Sequence, residues 1–570
     1  MPRTFSADFL YQNRPDDVSN AAEKAENADS IGTEMEGIEE QSDCDFIAHG
    51  ALEEDEDSNG TNQSADEEIP ELKRFLKSVP TDVLQFIASC CLSRLSTTEF
   101  ERFLTCHTED FANLARNVWN YNRCTFSTHF FCNDCGRSLS KSERCKMCPN
   151  SCVAHYLRMG GFAQVCELVD AFLHEILKLR TDLKSGAVEV EHNLNSPFFS
   201  HSWKSEGEYF LNLSLLMSVD GVDIPGTKNK IWPVCFSLID LPRGLSQKST
   251  NIILQGVVQC LQNPTTALWN ALLPMICVDL ESQTGKCAKY KFRATITTCT
   301  ADQPAKRSLF GFKGHTSSQS CFFCLSTETL HKTRGGESRS ILRRGQLTIN
   351  DSVHVRNGFK CKADIVKMIY PYHTPIDTLH NLGEGFFETI SKEVTGIPSN
   401  TNPKSQLFNA NKNLIKNALE RIIIPSVFGE LSARRNGSDK IHYFRLLLGL
   451  LAITTDFLSP KARIVIAASS TIANGMYTES QGLELILDQM CAATRWFLSE
   501  TSPEYMTIKT HEVLCHLPEI TRLMGNTSCL STFQFESAYK FILKGYTSSM
   551  TRGRLEHLGS KYVRKCYLYD

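Results

Sequence analysis

The sequence predicts an α/β protein, and the order of its apolar segments carries that expectation. From about residue 208, runs of strand length recur, each closed by Gly, Pro or Asn: "EYFLNLSLLMSVDG", "KIWPVCFSLIDLP" and "STNIILQGVVQCL". A helix-length segment follows, "PTTALWNALLPMICVDLES", with Thr or Pro at its start. A fourth strand, "KYKFRATITTCTAD", comes next. Three strands, a helix and another strand belong to the α/β class.

The remaining elements follow from composition and spacing. The chain has 570 residues and is 41% hydrophobic, enough for two or more domains with a sizeable core. Its net charge of −4 hides an asymmetry, because residues 1–72 hold 21 acids and 3 bases. The rest holds 57 bases and 43 acids. The leader is poor in hydrophobes, as in "ALEEDEDSNGTNQSADEE", cannot offset its ordering entropy, and is predicted to be disordered. The basic body suits a polyanionic partner. A helical block is predicted over about 71–120, where Ser96 and Glu99 have capping-box spacing ahead of Phe100, Phe103 and Leu104. Residues 340–530 read as mostly helical, and "TFQFESAYKFILKGY" as a helix near the end.

"MPRTFSADFLYQNRPDD" has no apolar h-region, and "FRLLLGLLAI" at 444–453 is too short to span a bilayer. The 23 cysteines are an odd number, which favours reduced thiols and metal ligands over a disulfide framework. A soluble intracellular protein with no membrane partner is expected. No G-x-x-x-x-G-K-[ST] loop is present, which argues against ATP use.

Three acids stand out. Asp220 ends the first strand and Asp302 the fourth, and strand ends in an open α/β sheet form the crevice where ligands sit. Glu536 lies inside the apolar "FQFESAY". Gathered together they would suit Mg²⁺, which takes a few hard oxygen donors and keeps positions for water and phosphate. Two such carboxylates about 4 Å apart would repel by roughly 4 kcal/mol at an effective dielectric near 20, so a cation or a proton would have to intervene. Taken singly, each acid also has a plain structural reading. Asp220-Gly is a turn signal, Asp302 before Gln-Pro is a helix N-cap, and Glu536 with Lys540 and Lys544 is an i, i+4 ladder.

The cysteines cluster. "CNDCGRSLSKSERCKMC" pairs Cys132 and Cys135 with Cys145 and Cys148, four thiols on short knuckles as tetrahedral Zn²⁺ requires. Cys152 and His155 are spare candidates. Four ligands are too few for a cross-braced RING. His511 and His516 in "HEVLCHL" stand at i, i+5, off the i+4 spacing of one α-helical face, and are expected to be structural or DNA-proximal.

At these residues the sequence resembles the catalytic core of the CACTA (En/Spm-like) transposases. The elements are "SVDGVDIPGTKNKIWPVCFSLIDLP", "ADQPA", "CFFC", "HEVLCHLPEITRLMG" and "FQFE", in order from about 208 to 545. The resemblance implies an RNase H-like mixed sheet interrupted by a large helical insertion. It implies a DDE triad of Asp220, Asp302 and Glu536 holding Mg²⁺ or Mn²⁺, with Glu512 and Glu519 as rivals for the last place. It also implies a second zinc site built from Cys321, Cys324, Asp377 and His380, with Cys361 and His315 as substitutes for Asp377. The implied activity is cut-and-paste DNA transposition in the nucleus by an oligomer of this chain on DNA, with Lys540 and Lys544 towards the DNA backbone. The alternative is a transposase-derived DNA- or protein-binding factor without catalysis. The chain then divides into the acidic leader (1–70), a helical segment (71–125), a zinc-binding module with a connecting helix (126–200), the first part of the core (201–340), the helical insertion (341–530) and a last helix completing the core (531–570).

Overall fold

A computed structural model describes residues 127–543, with interruptions at 141–142, 187–191, 205–206, 224–229, 316, 318, 334–335, 346, 391–440, most of 443–457, and 478–481. Leu555 and Leu558 are described as well. The acidic leader, the helical segment 71–125, most of 444–453 and Lys544 lie outside the described residues.

The four strands expected from the sequence form in place. They are β4 (Phe210–Val219), β6 (Lys230–Leu238), β7 (Ile253–Cys260) and β9 (Tyr290–Thr300). Shorter strands join them: β1 (Ser127–Cys132), β2 (Ser138–Leu139), β3 (Val153–Arg158), β5 (Val222–Asp223) and β8 (Gly285–Cys287). All nine make one sheet in the order β2-β1-β3-β7-β6-β4-β9-β8, with β5 beside β6. The pairing is antiparallel except between β4 and β9, which run parallel. The fold is therefore α/β with a mixed sheet. The cysteine segment is built into this sheet, because β3 pairs directly with β7. A hairpin of β10 (Leu325–Thr333) and β11 (Gly336–Arg344) stands apart from it, and the expected boundary at 340/341 falls inside β11.

Helices cover the sheet, which is why the central strands read as near-continuous apolar runs. The long α1 (Gly161–Ser185) packs on β7 and β8, α2 (Pro197–Lys204) on β4, and α3 (Thr266–Glu281) on β9. Thr265 caps α3, its hydroxyl accepting from Leu268 N–H at 3.3 Å. The strand β9 then leads into α4 (Gln303–Phe310). Among the described residues the expected insertion contains a π-helix at Thr378–Phe387, α5 (Pro460–Tyr477), α6 (Leu483–Thr501) and α7 (Leu517–Met524). The helix that carries Glu536, α8 (Phe533–Leu543), lies over β4, where Tyr539 Oη and Ser218 Oγ are 3.1 Å apart. No helix among the described residues is long and apolar enough to cross a membrane.

One buried ion pair fastens α1 to the sheet. Arg180 bonds the Asp240 carboxylate and the Asn212 carbonyl, and Asp240 also accepts from Ser214 N–H at 2.7 Å. Burial pushes the Asp240 pKa up, opposed by the Arg180 charge. Arg180→Met should strand that carboxylate and lower stability by about 3–5 kcal/mol. Chemical denaturation checks this, and an unchanged midpoint would mean that the pair does not hold the helix.

Candidate metal and acid centres

The register of β4 against β9 decides where the first two acids go. Ser218 lies opposite Thr300 across this parallel pair, so Asp220 and Asp302, each two residues further on, leave the sheet side by side. Adjacent strands are about 4.8 Å apart, and the two carboxyl groups feel each other. The plain structural reading of Asp302 holds as well, its Oδ1 capping α4 by accepting from Ala305 N–H at 2.7 Å. Asp220 makes no turn, its Oδ1 accepting from Gly221 N–H at 2.7 Å where the chain passes from β4 to β5. A Cβ at Gly221 would lie 2.7 Å from the Trp232 ring, so glycine suits this passage.

Glu536, in the first turn of α8, joins them. It faces His380, with Oε1 3.6 Å from His380 Nε2, and its charge also acts on Asp220. Neither rival takes this place. Glu512 bonds Gln303 and Asn381, and Glu519 lies beside His516. Lys540 is exposed one turn beyond Glu536, and its charge favours the ionised Glu536.

The electrostatics are those of crowded, partly buried acids. Burial, then the neighbouring Asp302, pushes Asp220 up to about 8. Burial raises Asp302 and Glu536 too. His380 is the counter-charge. Burial pulls its pKa down, but the Asp377 carboxylate at 2.5 Å, helped by Asp220 and Glu384, pushes it up to about 10. Asp377 is nearly fully buried and holds two segments together. It caps the π-helix through Leu379 N–H and accepts from Thr532 N–H at 3.1 Å and Thr532 Oγ1 at 2.8 Å, just ahead of α8.

Asp377 and His380 are therefore not partners of Cys321 and Cys324, contrary to the expectation from the sequence. The two thiols meet His511 and His516 instead, and all four ligand atoms lie within 4.8 Å of one another. Cys321 Sγ is 3.5 Å from His516 Nε2, Cys324 Sγ is 3.4 Å from His511 Nε2, and the two Nε2 atoms are 3.2 Å apart. A tetrahedral Zn²⁺ with ordinary Zn–S and Zn–N lengths needs S···N near ~3.6 Å and N···N near ~3.3 Å. This set could hold zinc. Glu519 Oε2, 3.9 Å from His516 Nδ1, stands behind the ring as an outer partner. Cys361 packs against Gly311 and His315 is exposed, so neither substitutes.

The physical reason for the missed pair is local. Residues Glu512–His516 form a π-helix, whose i→i+5 bonding brings residues five apart to one side. The spacing that argues against a shared face on an α-helix is the spacing a π-turn requires. An i, i+5 His pair within "HEVLCHL", with a Cys-x-x-Cys lacking its other half, was the available signal.

The first cysteine set assembles as its spacing predicts. Cys132, Cys135, Cys145 and Cys148 gather within 4.8 Å, with Cys135 and Cys145 sulfurs 3.6 Å apart, close to the ~3.8 Å edge of a ZnS₄ tetrahedron. Gly136 turns the knuckle at φ +68°, and a Cβ there would strike the Ala267 carbonyl of α3 at 2.3 Å. Asn133 ties the knuckle to the start of α3 through Asn263 O and Thr265 N, both at 3.1 Å. Cys152 is instead near Gln262, and His155 packs on Phe130.

Unlike the two Cys/His sets, the three acids do not form a group whose oxygens all lie within 4.8 Å, and His380 stands among them. No curated protein matches the chain. A family described as "Protein of unknown function (DUF1258)" matches residues 114–368. That span takes in the four-cysteine knuckle, Asp220, Asp302, Cys321 and Cys324, and stops before His511, His516 and Glu536.

Proposed function

We propose that this chain is a DDE-type DNA transposase, cleaving and transferring DNA strands at transposon ends with Mg²⁺ or Mn²⁺, and that Asp220, Asp302 and Glu536 hold the ions. The observation that carries the reading is the register of β4 and β9, which sets Asp220 and Asp302 together at one end of the sheet with α8 bringing Glu536 over it. The order of the four main strands, β7-β6-β4-β9, with only the last pair parallel, supports an RNase H-like core.

The type of donor, though not yet its spacing, suits a hard dication. The set consists of carboxyl oxygens, two of them on rigid strand ends, and Asp220 with a pKa near 8 holds a proton that a cation would displace. When bound, such ions supply activation of the attacking oxygen and charge stabilisation at the leaving oxygen. The protein's part is positional. Asp377 fixes the His380 ring and ties it to the start of α8, so that Glu536 and His380 keep their spacing. Lys540 would lie towards the DNA backbone, and the chain would act as an oligomer on DNA in the nucleus.

The test is strand nicking of element-end DNA by the full-length, zinc-replete chain. Cleavage that requires added Mg²⁺ or Mn²⁺ is expected. If the intact chain binds such DNA but never cuts it, the catalytic reading falls and the non-catalytic binding factor takes its place.

A further inference from the structure

We propose that Glu512 is the positioning residue through which the Cys/His metal site holds the acid centre in shape, so that loading one site governs cation affinity at the other. This rests on the acid-centre reading above. Glu512 is buried and directly follows His511, one of the four Cys/His ligands, on the turn that ends at His516. Successive helical side chains diverge, so while the two imidazoles face the thiols, Glu512 faces another way. Its Oε2 accepts from Gln303 Nε2 at 2.5 Å and from Asn381 Nδ2 at 2.6 Å.

Those two donors are the chain neighbours of the acid centre. Gln303 follows Asp302 and opens α4, and Asn381 follows His380 on the π-helix. One carboxyl oxygen thus joins three segments. A second path runs parallel to it. Arg307 donates to Gln303 Oε1 at 3.0 Å and to the Ser320 carbonyl at 2.9 Å, immediately before Cys321. Lys306 is buried close by, its Nζ 4.9 and 4.7 Å from the centres of the Phe322 and Phe323 rings, and it feels Glu512, Cys321 and Asp377. None of the residues in this network is one of the three acids proposed to hold the ions. The network's effect is on where Asp302 and His380 stand, and coupling of this kind between two ion sites is reciprocal.

The experiment is Mn²⁺ binding to the full-length chain carrying two zinc ions, followed by the electron paramagnetic resonance of free Mn²⁺. Glu512→Ala should weaken Mn²⁺ binding by at least about tenfold while zinc content stays at wild type, as outer partners of metal sites commonly do. Glu512→Gln keeps an amide oxygen able to accept from both donors and should restore affinity to within about threefold. Wild-type Mn²⁺ affinity in a zinc-loaded Glu512→Ala chain would overturn the inference. If that variant loses zinc or does not fold, Gln303→Ala cuts the link from the acid side. Weakened Mn²⁺ binding at unchanged zinc is then expected, and unchanged binding overturns the inference. A wild-type chain that binds no more Mn²⁺ than Asp220→Ala would overturn the acid-centre reading itself, a result distinct from the loss of coupling.

Discussion

Asp220→Asn should abolish metal-dependent strand cleavage, by a factor of about 10³ or more, while making the chain harder to unfold when no Mg²⁺ or Mn²⁺ is added. Both effects have one cause. The wild-type carboxyl is held at the end of β4 beside Asp302, where burial and that neighbour push its pKa to about 8. A proton bound more tightly in the folded than in the unfolded chain makes folding less favourable as pH climbs from about 4 towards 8. The amide does not titrate, so the stability gap between variant and wild type should open across that window and stay constant above it. A gap on the order of a few kcal/mol is expected. His380, pushed to about 10, keeps its charge throughout the window. Melting curves at pH 5 and pH 8.5, beside a nicking assay, check both halves. Added Mn²⁺ should raise the wild-type midpoint and leave the variant's where it is, because an ion that binds only the folded chain stabilises it. Equal midpoints at both pH values would remove the strained acid centre, and full cleavage by the variant would remove the catalytic reading.

His516→Ala should halve the zinc content, from two ions per chain to one, and cost far more stability than an ordinary core truncation. The Cys321, Cys324, His511 and His516 side chains are buried and draw together the turn after α4, the π-turn at Glu512–His516 and α7. Structural zinc contributes about 10–16 kcal/mol of apparent binding free energy in small zinc-folded peptides. Losing a ligand forfeits much of that and leaves two buried thiols and an imidazole without their cation. Atomic emission for zinc and a thermal melt check the expectation, and two zinc ions retained in a folded variant would exclude His516 as a ligand. His380→Ala is the matched control. Its zinc content should be unchanged, since His380 belongs to the acid centre.

Much of this was legible in the residues. The four long strands, α3 with its Thr265 cap and the helix around Glu536 all formed where apolar patterning put them. The four-cysteine knuckle assembled because its ligands lie within 17 residues of one another, and local spacing alone can close a tetrahedron. The short strands β1–β3 were harder to read. Their sequence is governed by the knuckle they support, and they join the sheet in series, β2 on β1, β1 on β3 and β3 on β7. The second ligand set failed for the opposite reason. Its halves are separated by 187 residues in sequence, and the nearer Asp377-x-x-His380 was matched to the thiols while His511 and His516, off the α-helical spacing, were not.

By itself the sequence determined the class of the fold, the elements that carry each acid and the identity of one metal knuckle, because these depend on side-chain periodicity and on ligands near each other in the chain. Tertiary structure alone decided the rest. The parallel register of β4 and β9 made neighbours of Asp220 and Asp302, and the packing of α8 brought Glu536 to His380. A π-helical turn, whose wider period no α-helical count anticipates, gave Cys321 and Cys324 to His511 and His516 and freed His380 to serve as counter-ion to the acids. Contacts between segments hundreds of residues apart are fixed by which surfaces can bury one another, and that is settled only when the whole core closes.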